Sequence, residues 1–141
     1  MVSANLFNLQ VVTPNRHVYS AQVAAVVLPG EIGEFGVLPG HAPLVSTLKI
    51  GCVRITPPPG GKVEWLAISG GFAEVKGDEV VVLTPSAERA EEIDASRAEA
   101  ARQRAEERIA AHAANVNMAR AQAALARALN RLAVARQGSA A

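Results

Sequence analysis

Residues 86–137 read SAERAEEIDASRAEAARQRAEERIAAHAANVNMARAQAALARALNRLAVARQ, a stretch with neither glycine nor proline in which alanine is the commonest residue. Helices favour Ala, Leu, Arg and Glu and tolerate Gly and Pro poorly. The stretch therefore predicts helix throughout, as one segment from Ser86 to His112 and a second from Asn117 to Arg136, ended by Gln137-Gly138. Asn115 and Asn117 are poor interior helix residues and good caps, so a connection is expected at Ala113–Asn117, although no Gly or Pro enforces it and one continuous long helix is the alternative. In the second segment Met118, Ala121, Leu125, Ala128, Leu129 and Leu132 recur at spacings of three and four and predict an apolar face. Alanine buries little area, so the two helices are expected to pack weakly, in more than one place.

Upstream the grammar changes. All eight prolines lie at or before Pro85, and ten of the eleven glycines lie at or before Gly77. Short β-type runs are punctuated by turns: Asn8–Thr13, Tyr19–Leu28, Gly36–Leu38, Val45–Leu48, Cys52–Thr56, Val63–Ser69, Gly71–Lys76 and Glu79–Thr84. Gly77-Asp78 fits a two-residue hairpin. So many short strands without an intervening helix predict an antiparallel sandwich or barrel. The fold class is thus α+β, with an N-terminal antiparallel β-sandwich over 1–85 and a C-terminal antiparallel two-helix hairpin over 86–141.

Composition narrows the function. The 141 residues carry 14 Lys+Arg against 13 Asp+Glu, and aromatics make up 4%. Neither an electrostatic footprint for nucleic acid nor a base-stacking platform is expected. The longest apolar run, Val23–Leu28, is far short of the roughly 20 residues of a membrane span, so no direct membrane insertion is expected. His17, His41 and His112 are scattered, and Cys52 is the single cysteine, so no metal site is expected. Cys52 and Trp65 read as core residues, and no nucleophile-elbow pattern is present, so an enzyme is not expected.

Two constellations stand out. One is the loop Gly30–Leu44, in which Glu34 and His41 are candidates for partner docking. The other is Glu88, Asp94, Arg97, Arg104, Arg127 and Arg131. Guanidinium groups from two facing helices suit phosphate binding, because each offers a rigid fork of donors. Local pairs such as Arg102–Glu106 would be an ordinary solvated face. After Arg108, however, come Arg120, Arg127, Arg131 and Arg136 and no acidic side chain, so these arginines lack local partners.

Three segments together resemble the epsilon subunit of bacterial F-type ATP synthase: Pro39-Gly40-His41-Ala42-Pro43-Leu44, Ser69-Gly70-Gly71-Phe72-Ala73-Glu74-Val75 and Ile93-Asp94-Ala95-Ser96-Arg97-Ala98. The resemblance covers nearly the whole chain. It implies a β-sandwich and helical hairpin in the central rotor stalk, without catalysis, coupling proton transport to ATP synthesis. The implied partners are the gamma subunit, the c-ring and the alpha and beta subunits, peripheral at the cytoplasmic face of the bacterial inner membrane. The implied regulation is inhibition of ATP hydrolysis by a movable hairpin. Glu34 and His41 lie in the loop that faces the c-ring in that family. Ile93, Asp94, Arg97 and Ala98 match its ATP-binding motif, with Glu88 upstream and Arg104, Arg127 and Arg131 completing the site. No cofactor is required, and ATP enters as a regulatory ligand. The alternative is a free-standing nucleotide sensor, a β-sandwich with a helical lid, which has no need of the Gly30–Leu44 loop.

Overall fold

A computed structural model of the chain describes residues 5–112 and 114–140. Eight strands come first: β1 (Phe7–Val12), β2 (His17–Val23), β3 (Ala25–Pro29), β4 (Glu34–Val37), β5 (Leu44–Thr56), β6 (Glu64–Lys76), β7 (Glu79–Leu83) and β8 (Ala87–Arg89). A 3₁₀ turn, Ala90–Glu92, leads into α1 (Ala95–Ala111) and then α2 (Met118–Ala140). The strands hydrogen-bond in the order β2-β1-β7-β6-β5-β3-β4, and β8 is added beside β6. All pairs are antiparallel except β1 with β7, which run parallel from Asn8↔Glu79 to Val12↔Leu83. Both sheet layers face one core, built from residues such as Phe7, Leu9, Leu28, Val53, Ile55, Leu66 and Val82.

The sandwich turns on the long hairpin of β5 and β6. Four short strands were expected here, and two strands of 13 residues each are found. The glycines that suggested breaks are built into the strands. Gly51 lets the chain pass Pro29, whose Cβ would lie 2.5 Å from an added methyl. Gly71 has φ +116, and a Cβ there would lie 1.9 Å from the Leu83 carbonyl oxygen. Each long strand then serves different neighbours at its two ends. β6 pairs with β8 through Leu66–Ile68 and with β7 through Phe72–Lys76. Conversely, the expected strand Tyr19–Leu28 divides at Ala24 into β2, paired with β1, and β3, paired with β5. Gly77 takes the positive-φ position of the β6–β7 turn, at φ +51, as its sequence predicts.

The first helix starts later than composition indicates. Residues 87–89 form β8 because β6 offers them an open edge, a tertiary partner that overrides helix propensity. Asp94 then caps α1 by accepting the Arg97 backbone N–H at 3.1 Å. The helix ends at His112, which takes the left-handed conformation at φ 47. Asn117 begins α2 in the same way as Asp94, accepting the Arg120 N–H at 3.1 Å. The expected break therefore exists, though its first residue, Ala113, lies outside the described residues. α2 runs through Gly138 instead of stopping there. An added Cβ at Gly138 would lie 2.6 Å from the Ala90 Cβ, so this glycine is a close-approach residue and no terminator.

α1 packs on α2, and α2 packs on the sandwich against β5, β6 and the 3₁₀ turn. The buried positions of the helix pair are Ala98 and Ala105 in α1 and Ala121, Ala128 and Val134 in α2. Leu129, expected on the apolar face, is exposed, because the sandwich takes the side of α2 that carries Val134. The seam under α2 joins Ala67, Ala90, Ile93 and Val134, with Cys52, Trp65 and Ala135 against them. Among the described residues only Val134 and Ile93 bring large aliphatic groups to it, worth about 1.5–3 kcal/mol each.

Gly71→Ala should cost at least about 2 kcal/mol in urea unfolding, since both its φ and its clash are unfavourable. Gly33→Ala, with open space around it, should stay within about 0.5 kcal/mol of the parent.

Candidate functional site

The site residues fall into three groups. Glu88, on β8, meets Arg131, on α2, through two parallel bonds: Arg131 Nε donates to Oε1 at 2.7 Å and Nη2 to Oε2 at 3.1 Å. Both side chains are about one-third exposed or less, at 33% and 27%. The bidentate geometry is the strong form of such a pair. Arg131, which lacks a partner in its own helix, thus finds one 43 residues away. Beside it Asn130 Nδ2 donates to the Gly51 carbonyl at 2.9 Å, so consecutive α2 residues hold β8 and β5.

Arg127 lines the same small cleft as Glu88 and Arg131, together with Ser69, Ser86 and Asn130. Ser86 donates from both its backbone N–H, at 3.0 Å, and its hydroxyl, at 2.9 Å, to Ser69 Oγ. This cleft holds about 30 Å³, room for a water molecule and too little for a nucleotide. Sequence reading did not select Ser69, Ser86 or Asn130, since nothing local distinguishes them.

Ile93 and Ala98 are packing residues: Ile93 belongs to the seam with Val134, and Ala98 is fully buried. Asp94 has its Oδ1 engaged as the cap of α1. Arg97 and Arg104 are exposed on α1, and among the described residues no side-chain hydrogen bond or ion pair ties either to the Glu88–Arg131 group. Arg102 is committed to Glu106, as expected, and also to Glu99. The Arg102 guanidinium holds the Glu99 carboxyl below the usual carboxylate range.

A second, larger cleft, of about 600 Å³, lies at the other end of the helix pair. It is lined by Arg108, Asn115, Asn117, Arg120 and Arg127 among others. Arg127 is thus the one residue common to both clefts.

The Gly30–Leu44 loop presents apolar side chains to solvent, with Ile32 fully exposed and Leu38 63% exposed. Glu34 opens β4 and is exposed, and it lines a small cleft with Val27, Cys52, Arg54 and Trp65. His41 is half-buried, with Nδ1 2.7 Å from the Ala42 carbonyl oxygen. The structure does not join Glu34 to His41 by any hydrogen bond among the described residues. On the sheet, Phe72 and Leu83 are register partners and are both more than half exposed. Sequence reading missed this pair because alternation alone does not tell an outer apolar residue from an inner one.

Other polar groups brace the sandwich. Arg89 donates to Glu64 at 3.1 Å and to the Val18 carbonyl at 3.0 Å, and lies 5.3 Å from the Tyr19 ring centroid. Burial, then the nearby Glu64, push the Tyr19 phenol above its ordinary value. Cys52 is half-buried under the α2 seam, as a structural cysteine would be, and burial pushes its thiol up to about 11. Trp65 is only partly buried, with Arg54 5.9 Å from its ring centroid, so it seals the seam and is not a core residue.

A double-mutant cycle of Glu88→Gln and Arg131→Gln should give a coupling of about 1 kcal/mol in thermal or urea unfolding, falling as salt is raised. With the thiol at about 11, only about one molecule in a thousand carries thiolate at pH 8. Labelling of Cys52 by a disulfide reagent should be slow there and rise about tenfold per pH unit below that value. It should be faster in Glu88→Gln, because loosening α2 uncovers the seam.

Residues 6–90 match the family model of the ATP synthase delta/epsilon chain beta-sandwich domain, and residues 91–136 that of its long alpha-helix domain. An ATP synthase epsilon chain of Desulforamulus reducens is 48% identical over 127 residues, covering 90% of this chain and 95% of that one. The epsilon chain of Bacillus subtilis is 52% identical over 127 residues, with the same coverage. Among solved structures, a chain of the Euglena gracilis mitochondrial ATP synthase (OSCP/F1/c-ring, rotational state 1) superposes with a TM-score of 0.79. It is 26% identical, and the alignment covers 100% of this chain and 84% of that one. Over both of its structural parts, the chain belongs to the ATP synthase delta/epsilon family, as an epsilon chain of the F-type enzyme.

Proposed function

We propose that this epsilon chain works as a non-catalytic subunit of the rotor stalk, coupling proton transport to ATP synthesis, and that its helical hairpin is a movable inhibitor of ATP hydrolysis. The observation that carries this reading is how lightly α2 is held. The seam brings Val134 and Ile93, with the partly buried Trp65 against them, one bidentate ion pair and one amide hydrogen bond to the sandwich. Such a sum is small enough for a competing surface to overcome. The sandwich, with its much larger core, keeps its shape while the hairpin leaves.

The exposed side chains support a division of labour. Ile32, Leu38 and the loop carrying Glu34 and His41 form one apolar end suited to the c-ring. Phe72 and Leu83 form a face suited to the gamma subunit. A free-standing sensor would need neither. The arginines of α1 and α2, released from the sandwich, would meet acidic surfaces of the alpha and beta subunits. With no helix among the described residues long and apolar enough to span a bilayer, the subunit would reach the membrane through these partners, on the cytoplasmic side of a bacterial inner membrane.

ATP fits this scheme as a population shifter. A ligand moves a two-state equilibrium only by its differential affinity. At a hundredfold excess over its dissociation constant it would favour the folded hairpin by about 2.7 kcal/mol. The residues proposed to hold it are Glu88, Ile93, Asp94, Arg97, Ala98, Arg104, Arg127 and Arg131. Because Glu88 neutralises Arg131 in the ligand-free chain, ATP phosphates binding there would compete with a carboxylate already in place.

Glu88→Gln tests the regulatory reading without removing an arginine from the inhibitory surface. Rebuilt into a synthase depleted of its own epsilon chain, it should shift the hairpin about fivefold toward the extended form, the equivalent of about 1 kcal/mol. Hydrolysis should then be inhibited more strongly than with the parent chain, while ATP synthesis remains coupled. Unchanged or weaker inhibition would refute the docking role of this pair. Calorimetric titration of ATP into the purified chain should show binding that weakens in Arg127→Ala. Equal affinity in that variant would remove the arginines from the nucleotide site.

A further inference from the structure

We propose that the left-handed bend at His112 is the joint on which α2 leaves the sandwich, and that the want of a glycine there biases the helix pair toward release. α1 ends at Ala111, and His112 follows it at φ 47, ψ 34. Among the described residues it is the only one other than glycine with a positive φ. In this conformation an L side chain crowds its Cβ against the following carbonyl oxygen, a penalty that glycine escapes. Helices that end this way usually place glycine at the bend. The stretch Ser86–Gln137 offers none. The His112 side chain is exposed, so packing of the imidazole does not compensate for the strain.

The second observation is what holds each helix. α1 packs on α2, while α2 packs on β5, β6 and the 3₁₀ turn. α1 is joined to the sandwich through the chain itself, by way of Ala90–Glu92. When α2 lifts, α1 stays tethered, and only the contacts between the two helices keep them antiparallel. The buried positions along the pair are Ala98 and Ala105 in α1 and Ala121 and Ala128 in α2, each bringing one methyl group. Straightening the chain at His112 gives up those shallow contacts and relieves the left-handed strain in return. The residues before and after the connection favour helix in either arrangement.

Glycine is used in the opposite sense at the far end of α2. Gly138 sits inside the helix, where glycine weakens it, and an added Cβ there would lie 2.6 Å from the Ala90 Cβ. That glycine permits close docking. At His112 a glycine would serve the bend and is absent. The two positions act on one equilibrium in opposite directions, Gly138 toward the docked helix and His112 away from it. The strain belongs to the chain alone. Its effect on hydrolysis rests on the movable-inhibitor reading proposed above.

Two variants of the full chain, His112→Gly and His112→Ala, test the joint by sign. Both remove the imidazole, so a lost side-chain contact would move both the same way, whereas backbone strain moves them apart. Glycine relieves the bend and weakens a straightened helix, so labelling of Cys52 by a disulfide reagent should slow about fivefold or more. Alanine is poorer than histidine in the left-handed region and better in a helix, so labelling should quicken, by about twofold or more. The thermal loss of helical circular dichroism should follow the same order, with the highest midpoint in His112→Gly and the lowest in His112→Ala. Labelling rates that do not separate, or that shift in one direction for both variants, overturn the joint. A shifted midpoint with unshifted labelling overturns it too, because the helix pair would then leave the sandwich as one rigid piece. Rebuilt into a synthase depleted of its own epsilon chain, His112→Gly should inhibit hydrolysis less than the parent and His112→Ala more. If labelling separates the variants and hydrolysis does not, the bend stands and the movable-inhibitor reading falls.

Discussion

The docked position of the helices depends on the pair formed by Glu88 and Arg131. It is a two-bond contact between the last strand and the last helix. Its position matters more than its energy. Glu88 is on β8, the strand that closes the open edge of β6, and Arg131 follows Asn130, which holds the Gly51 carbonyl on β5. One turn of α2 is thereby registered against β5 and β8. Around that registration the seam is made of small groups, and Gly138 lets the last turns of α2 approach Ala90 closely.

The two parts of the chain are stabilised in different ways. The sandwich buries Phe7, Leu28, Ile55, Leu66 and a set of valines in one core shared by all its strands. Losing any one strand would open that core, so the sandwich behaves as a unit. The helix pair buries alanines, and each contributes about one methyl group. Its contacts are close but shallow, and the hydrogen bonds that dock it, from Asn130 and Arg131 in the middle of α2, go to the sandwich. A unit of the first kind suits a permanent mount, and one of the second kind suits a part that moves.

The clefts along α2 show how that second unit is tuned. At one end a carboxylate already neutralises Arg131. At the other, Arg108 and Arg120 make no ion pair among the described residues. Arg127 lies between them and touches both. The helix therefore carries a gradient from satisfied to unsatisfied charge, which no single-helix pattern of i,i+4 pairs would create.

Much of the fold was legible in the residues alone. The absence of Gly and Pro from Ser86 to Gln137 pointed to helix, and Asn117 marked the start of the second. The alternating runs before it dictated strands, and Gly77 dictated a turn. The resemblance pointed to the Glu88–Arg131 region. What tertiary structure decided were the choices between equally good local options. Ala87–Arg89 became strand because β6 had a free edge. Gly51 and Gly71 became kinks within long strands because other chain segments pass against them. Gly138 stayed helical because Ala90 needed the space. Arg131 finds Glu88 while Arg108 makes no ion pair among the described residues, since a salt bridge depends on which carboxylate arrives across the fold. Local sequence sets what each segment prefers, but the partners of a side chain are set by packing at a distance.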